Sequence, residues 1–274
     1  MMKFNLQTQA DVKPPVGMTT KFTSVLFACI LLATQCLRAE TKQADTAWQQ
    51  REFAATIMAV AMIPGLEELH ILDPLKQPVG KIRVRPLLYG RPFLCTSFDG
   101  SIYLGTEDGV DESGQKKYKI VATAKAPASI QQAAIILAPQ NILTGQNIAE
   151  DYYSARVIDN SLRAFPLSNT LVINLLPTQM VLKIGEEKRS VASHSAVMIS
   201  EISSLDKFNM ADVSFFYQTT DKWNILKQSK IRYLPNIRYT AVAYFDMRVQ
   251  KPTIVFVRDG GKMKLPAALA EKQQ

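Results

Sequence analysis

Hydrophobic and polar residues alternate along most of this 274-residue chain, and a period of two is what strands show, because successive side chains point to opposite faces. In Lys81-Ile82-Arg83-Val84-Arg85 cations and aliphatics alternate strictly, so one face is charged and the other is buried. Thr170 to Leu175 places Leu171, Ile173 and Leu175 on one side, and Gln179 to Gly185 places Met180, Leu182 and Ile184 likewise. Pro177-Thr178 lies between those two runs, which reads as a hairpin. Ile237 to Phe245 sends Ile237, Tyr239, Ala241, Ala243 and Phe245 one way and Arg238, Thr240, Val242 and Tyr244 the other.

Turn chemistry agrees with the periodicity. Asp99-Gly100 separates two apolar runs, and an Asp-Gly pair suits a two-residue hairpin because both central residues need positive φ. Gly185-Glu186-Glu187 and Asp259-Gly260-Gly261 end two further runs. About a dozen short strands follow one another, the pattern of an all-β antiparallel sandwich. The best helical candidates are terminal, Thr46 to Ala55 and Pro266 to Lys272. Loop-forming residues crowd 139–151, which divides the chain into a first β module over 53–138 and a second over 152–259, preceded by a polar tether at 40–52 and followed by a tail at 260–274. One continuous sandwich with a long crossover gives the same string. No repeat of fixed period is visible.

The segment Arg156 to Pro166, with Asp159-Asn160 and Phe165-Pro166, is followed by Leu171 to Leu175 and Lys183-Ile184-Gly185. This pattern resembles uncharacterised exported bacterial β proteins, over about a third of the chain beyond its leader. The resemblance implies export and an immunoglobulin-like sandwich. It carries no activity and no site residues.

Export is expected on independent grounds. Lys21 leads an apolar run, Phe22 to Ala33, and Leu37-Arg38-Ala39 precedes Glu40, the layout of a secretory signal with a small residue at the cut. Met18-Thr19-Thr20-Lys21 makes an ordinary start to such a signal, so residues 1–39 read as leader, with Met18 as the true initiator. The run is shorter than the roughly 20 residues that cross a bilayer, which favours cleavage over an anchor. Two of the three cysteines, Cys29 and Cys36, leave with the leader. Cys95 is then alone, no internal disulfide forms, and burial must hold the fold together. Removing the leader takes four bases and one acid from totals of 32 and 24, leaving a mild positive charge. That balance favours anionic envelope polymers, an envelope protein or peripheral contact with a membrane, and is too dispersed for nucleic acid.

Candidate chemistry is sparse. The part beyond the leader has His70, His194 and Cys95, none closely paired, whereas zinc sites want three or four such ligands at short spacings. Within His194-Ser195 the two side chains diverge, and no nucleophile elbow is present. Cys95 reads as a core thiol. Glu107, Asp108, Asp111 and Glu112 crowd a glycine-bearing loop, but their spacing fits no EF-hand and a solvated hairpin tip accounts for them. No catalytic residue, metal or cofactor is assigned.

Two surfaces remain as candidates for binding. Lys81, Arg83 and Arg85, with Arg91 a turn away, form either an anion-binding face or an edge strand protected by its charges. Tyr89, Phe93 and Tyr103 in the first module, and Trp223 in the second, form either an aromatic surface or core. The resulting expectation is an exported, non-catalytic envelope protein, binding or structural. The alternatives are a carbohydrate-binding module, which needs coplanar exposed rings, and a hydrolase whose carboxylates converge only in the fold.

Overall fold

The computed structural model describes residues 48–144, 152–200, 202, 205–220, 222–261 and 263. The leader, most of the polar tether, the second half of the 139–151 loop and the tail candidate Pro266 to Lys272 lie outside the described residues.

The first eight strands are β1 (Gln50–Ala59), β2 (Glu68–Leu72), β3 (Pro78–Arg83), β4 (Phe93–Phe98), β5 (Ser101–Val110), β6 (Lys116–Lys125), β7 (Gln132–Pro139) and β8 (Tyr153–Asp159). They form two leaves, ordered β4-β1-β7-β8 and β3-β2-β5-β6. At the turn between β4 and β5 only Phe98 and Ser101 pair, which joins the leaves into one hydrogen-bonded sheet folded over itself. The second eight are β9 (Thr170–Asn174), β10 (Met180–Ile184), β11 (Glu187–Val191), β12 (Ala196–Ile199), β13 (Met210–Gln218), β14 (Trp223–Arg232), β15 (Arg238–Asp246) and β16 (Lys251–Asp259). Their leaves are β12-β9-β15-β16 and β11-β10-β13-β14.

Apart from the single β4–β5 pair, which β12 and β13 do not repeat, the second set pairs as its counterparts eight places earlier do. β1 runs antiparallel to β4 and parallel to β7, and β9 runs antiparallel to β12 and parallel to β15. The hairpins β2–β3 and β10–β11, β5–β6 and β13–β14, and β7–β8 and β15–β16 correspond, as do the pairings β2–β5 and β10–β13. The chain therefore builds one wiring diagram twice, as two all-β sandwiches. The sequence hides this because only the pairing is shared: β1 has ten residues and β9 five.

Three apolar clusters order the layers. Phe53, Ile57, Leu69, Ile102 and Ile135 fill the first sandwich, and Val172, Leu182, Phe215 and Ala241 fill the second. The third cluster lies between the sandwiches, where Met58, Val60, Ile136 and Ala138 meet Leu171, Ile173, Val242 and Tyr244. The result is four stacked leaves whose two middle ones are β4-β1-β7-β8 and β12-β9-β15-β16. Both parallel pairs sit in those middle leaves, buried on each face, the setting in which parallel pairing is normally found.

This burial explains several departures from the sequence reading. Residues 50–55 belong to β1, not to a helix, because a strand covered on both faces loses its polar alternation. Each sandwich is antiparallel apart from one parallel pair in its middle leaf. Tyr153–Asp159 closes the first module, since it runs along β7 with Ala133 opposite Asp159. The loop-rich 139–151 stretch, including the helix α1 (Gln140–Thr144), is thus the connection within a hairpin. Residues 160–169 are what join the modules. Pro177-Thr178 makes no hairpin either, because β9 and β10 enter different leaves. Buried Asn174 shapes that crossing, its Nδ2 donating to the carbonyls of Thr178, Val191 and Ala192 and its Oδ1 accepting from Leu176 N. Asp99-Gly100 turns with φ of 50° and 71°, as its hairpin requires.

Candidate functional site

The expected cationic face is an edge with interleaved acids. Lys81 and Arg83 lie exposed on β3, the terminal strand of its leaf, opposite His70 and Glu68. Lys81 Nζ approaches Glu68 Oε2 at 2.7 Å, and this donated hydrogen bond holds the Glu68 carboxyl below its usual range. Neighbouring lysines are matched in the same way, Lys116 by Glu107 at 2.8 Å and Lys119 by Asp108 at 3.9 Å. Arg85 and Arg91 are exposed beyond the strand's end. Charge on this edge discourages pairing with another chain.

The four candidate aromatics do not share a surface. Tyr89 reaches into the module junction, where its hydroxyl meets Thr240 Oγ1 at 3.0 Å and burial pushes its pKa up to about 12. Phe93 packs on the first core. Tyr103 is half-buried on β5, and Trp223 is exposed at the start of β14, in the other module. The remaining singled-out groups also have structural partners. His70 meets the Tyr118 ring edge-on, with centroids 4.9 Å apart. His194 turns with φ of 51°, and Ser195 Oγ donates to Ala192 O at 2.7 Å. Cys95 is fully buried, which pushes its thiol up to about 12 and away from reactivity. Asp111 Oδ1 accepts from Ser113 and Gln115 and so organises its own turn. Among the described residues no three His, Cys, Asp or Glu side chains gather as metal ligands.

Sequence reading passed over Arg238, which fixes how the modules meet. Only 1% exposed, it donates to Asp259 Oδ2, to Asn160 O and Oδ1 and to Phe165 O, and its guanidinium lies 4.6 Å from the Phe165 ring centre. The connection between modules is thereby fastened to β15 and β16. The available signal was a lone arginine on an otherwise apolar strand.

At the other end of β15 the interface between the modules opens into a cleft of about 540 Å³, within the size range of small-ligand sites. Its walls come from both modules: Val60 to Pro64 at the end of β1, Pro86 and Leu87 before β4, Asn141 and Ile142 of α1, and Tyr244 to Arg248 at the end of β15. Most of this lining is apolar. Asn141 Oδ1 is buried with no hydrogen-bond partner among the described residues, so a donor brought there gains a bond otherwise unmade. Burial raises the Tyr244 pKa above its ordinary value, with the neighbouring Asp246 charge adding to the effect. Asp246 itself is held below the usual carboxylate range, first by the hydrogen bond from Arg248, whose Nη2 lies 3.0 Å from Oδ2. The cleft offers apolar walls, one open acceptor, a protonated phenol and a cation at its rim. No protein-family model matches the chain, and no curated protein matches it.

Proposed function

We propose that the chain beyond its leader is an exported, non-catalytic binding component of the cell envelope, and that the junction cleft receives a small, largely apolar ligand bearing a hydrogen-bond donor. The observation that carries the reading is the cleft itself, with Asn141 Oδ1 unpaired among apolar walls drawn from both sandwiches. Its walls stand at the ends of packed strands, β1 and β7 of one sandwich and β15 of the other, which limits the ordering cost when a ligand enters. An immunoglobulin-like kinship is part of the proposal. The leaf β3-β2-β5-β6 has the neighbour relations of the C′, C, F and G strands, and β1–β4 those of B and E. The place of strand A is taken by β7, which runs the other way.

The test begins with protein expressed with its leader and recovered from the periplasmic fraction, where a form starting at Glu40 is expected. That protein is titrated with small aliphatic amides and alcohols while the methyl resonances of Met62 and Met247, both lining the cleft, are followed. Saturable shifts that disappear in Ala61→Trp, which fills the cleft, support the reading. Silence of both methyls towards every probe, or turnover of a hydrolase substrate that is lost in Asp246→Asn, overturns it.

A further inference from the structure

The repeated wiring allows one module to serve as the reference for the other. In each sandwich two terminal strands face one another across an open side: β6 and β8 in the first module, β14 and β16 in the second. In the first, β6 packs along β8, and the shallow depression between them is lined by Ile120 to Thr123, Gln140 and Tyr152 to Ala155, without a charged side chain. In the second, β14 and β16 touch over less of their length, and a groove of about 580 Å³ lies at the seam.

That groove differs in chemistry as well as width. Lys230 and Arg232 of β14 and Arg258 of β16 line it, beside Ile231 and Phe256, and Leu87 and Leu88 extend it from the first module. β14 carries three cations, Lys227, Lys230 and Arg232, and no acid. Asp212 offsets Lys230 at 3.7 Å, whereas Arg232 and Arg258 are exposed with no acid within ion-pair distance among the described residues. Leu88 is exposed beside them. The packing that closes the first module's seam is here left more open and ringed with positive charge.

We propose that the β14–β16 seam takes an extended acidic peptide, laid as an added strand along a terminal strand of the second module. The reading rests on the binding role above and names a partner for it. Terminal strands present main-chain donors and acceptors at strand spacing, which a peptide matches and a sugar chain does not. Along β14 alternation then sets the side-chain pattern: apolar groups on the face of Ile231, carboxylates on the face of Lys230 and Arg232, with Arg258, on the same face of β16 as Phe256, adding its charge at the groove. Tyr239 of β15, also in the lining, donates its hydroxyl to Arg232 O at 2.6 Å and ties the end of β14 to the facing leaf.

The experiment uses the whole protein and a fluorescein-labelled, terminally blocked heptapeptide alternating glutamate and valine, followed by anisotropy at low and at high salt. Binding should weaken as salt screens the charges and fall by about tenfold or more in the exposed-site double variant Arg232→Glu/Arg258→Glu. Lys188→Glu, exposed on β11 at the opposite edge of the same leaf, should leave it unchanged. Backbone amide shifts should concentrate along β14 and β16, a response that loose charge attraction does not produce. The proposal is overturned if a lysine-valine peptide binds equally, if the double variant retains affinity while its circular dichroism is native, or if dextran sulfate binds and the acidic peptide does not, which points to an anionic glycan. Failure here with the Met62 and Met247 response intact removes the peptide and leaves the binding role standing.

Discussion

At Arg238 a full positive charge sits almost out of water, where an unpaired ion is costly. It persists because three backbone or side-chain oxygens of residues 160 and 165 and the Asp259 carboxylate accept its protons. Removing the guanidinium orphans that carboxylate and three acceptors together. Arg238→Ala should therefore cost roughly 3–5 kcal/mol in chemical denaturation, whereas Arg83→Ala, solvated on β3, should change stability by under about 0.5 kcal/mol. Equal effects would show that the junction does not depend on this residue. The alternation of Ile237 to Phe245 puts Arg238 on the side of Thr240, Val242 and Tyr244, and that much is readable from the chain. That a second sandwich covers this side is not, because nothing within nine residues records what packs on them.

Among the elements, β5 shows how tightly the first sandwich is wrapped. A Cβ at Gly105 would lie 2.6 Å from Lys119 O and also meet the Leu72 side chain, at the point where β5 and β6 slip register between Leu104 and Gly105. Backbone on one side cannot yield as a side chain can. Gly105→Ala should cost about 1–3 kcal/mol, read as a fall in melting temperature of about 2–4 °C for each kcal/mol; an unchanged midpoint would mean the strands are more loosely apposed. Strands with one wet face are legible, as Lys81 to Arg83 and the Asp99-Gly100 turn show. β1 hides its period because Phe53 to Val60 is buried on both faces, with Thr56 its one polar residue. β8 was assigned to the wrong module because loop composition marks a turn and does not say which strands the turn joins.

For the molecule as a whole, the four-leaf stack decides what can serve as a site. The candidate cations lie on an exposed edge and the candidate aromatics divide among core, junction and separate surface positions, while the concave features arise where the two sandwiches meet or differ. The junction cleft and the β14–β16 seam draw lining from both modules, so no stretch of sequence could display either one. Both depend on the two sandwiches holding one another in place through Met58, Ile136, Ile173 and Val242. Hydrogen exchange read by mass spectrometry tests this most directly. The account predicts that amides of β1, β7, β9 and β15 exchange last and at a common rate set by one global opening. Loss of protection in one module while the other stays closed would contradict it, because two independently opening sandwiches cannot hold a fixed cleft between them.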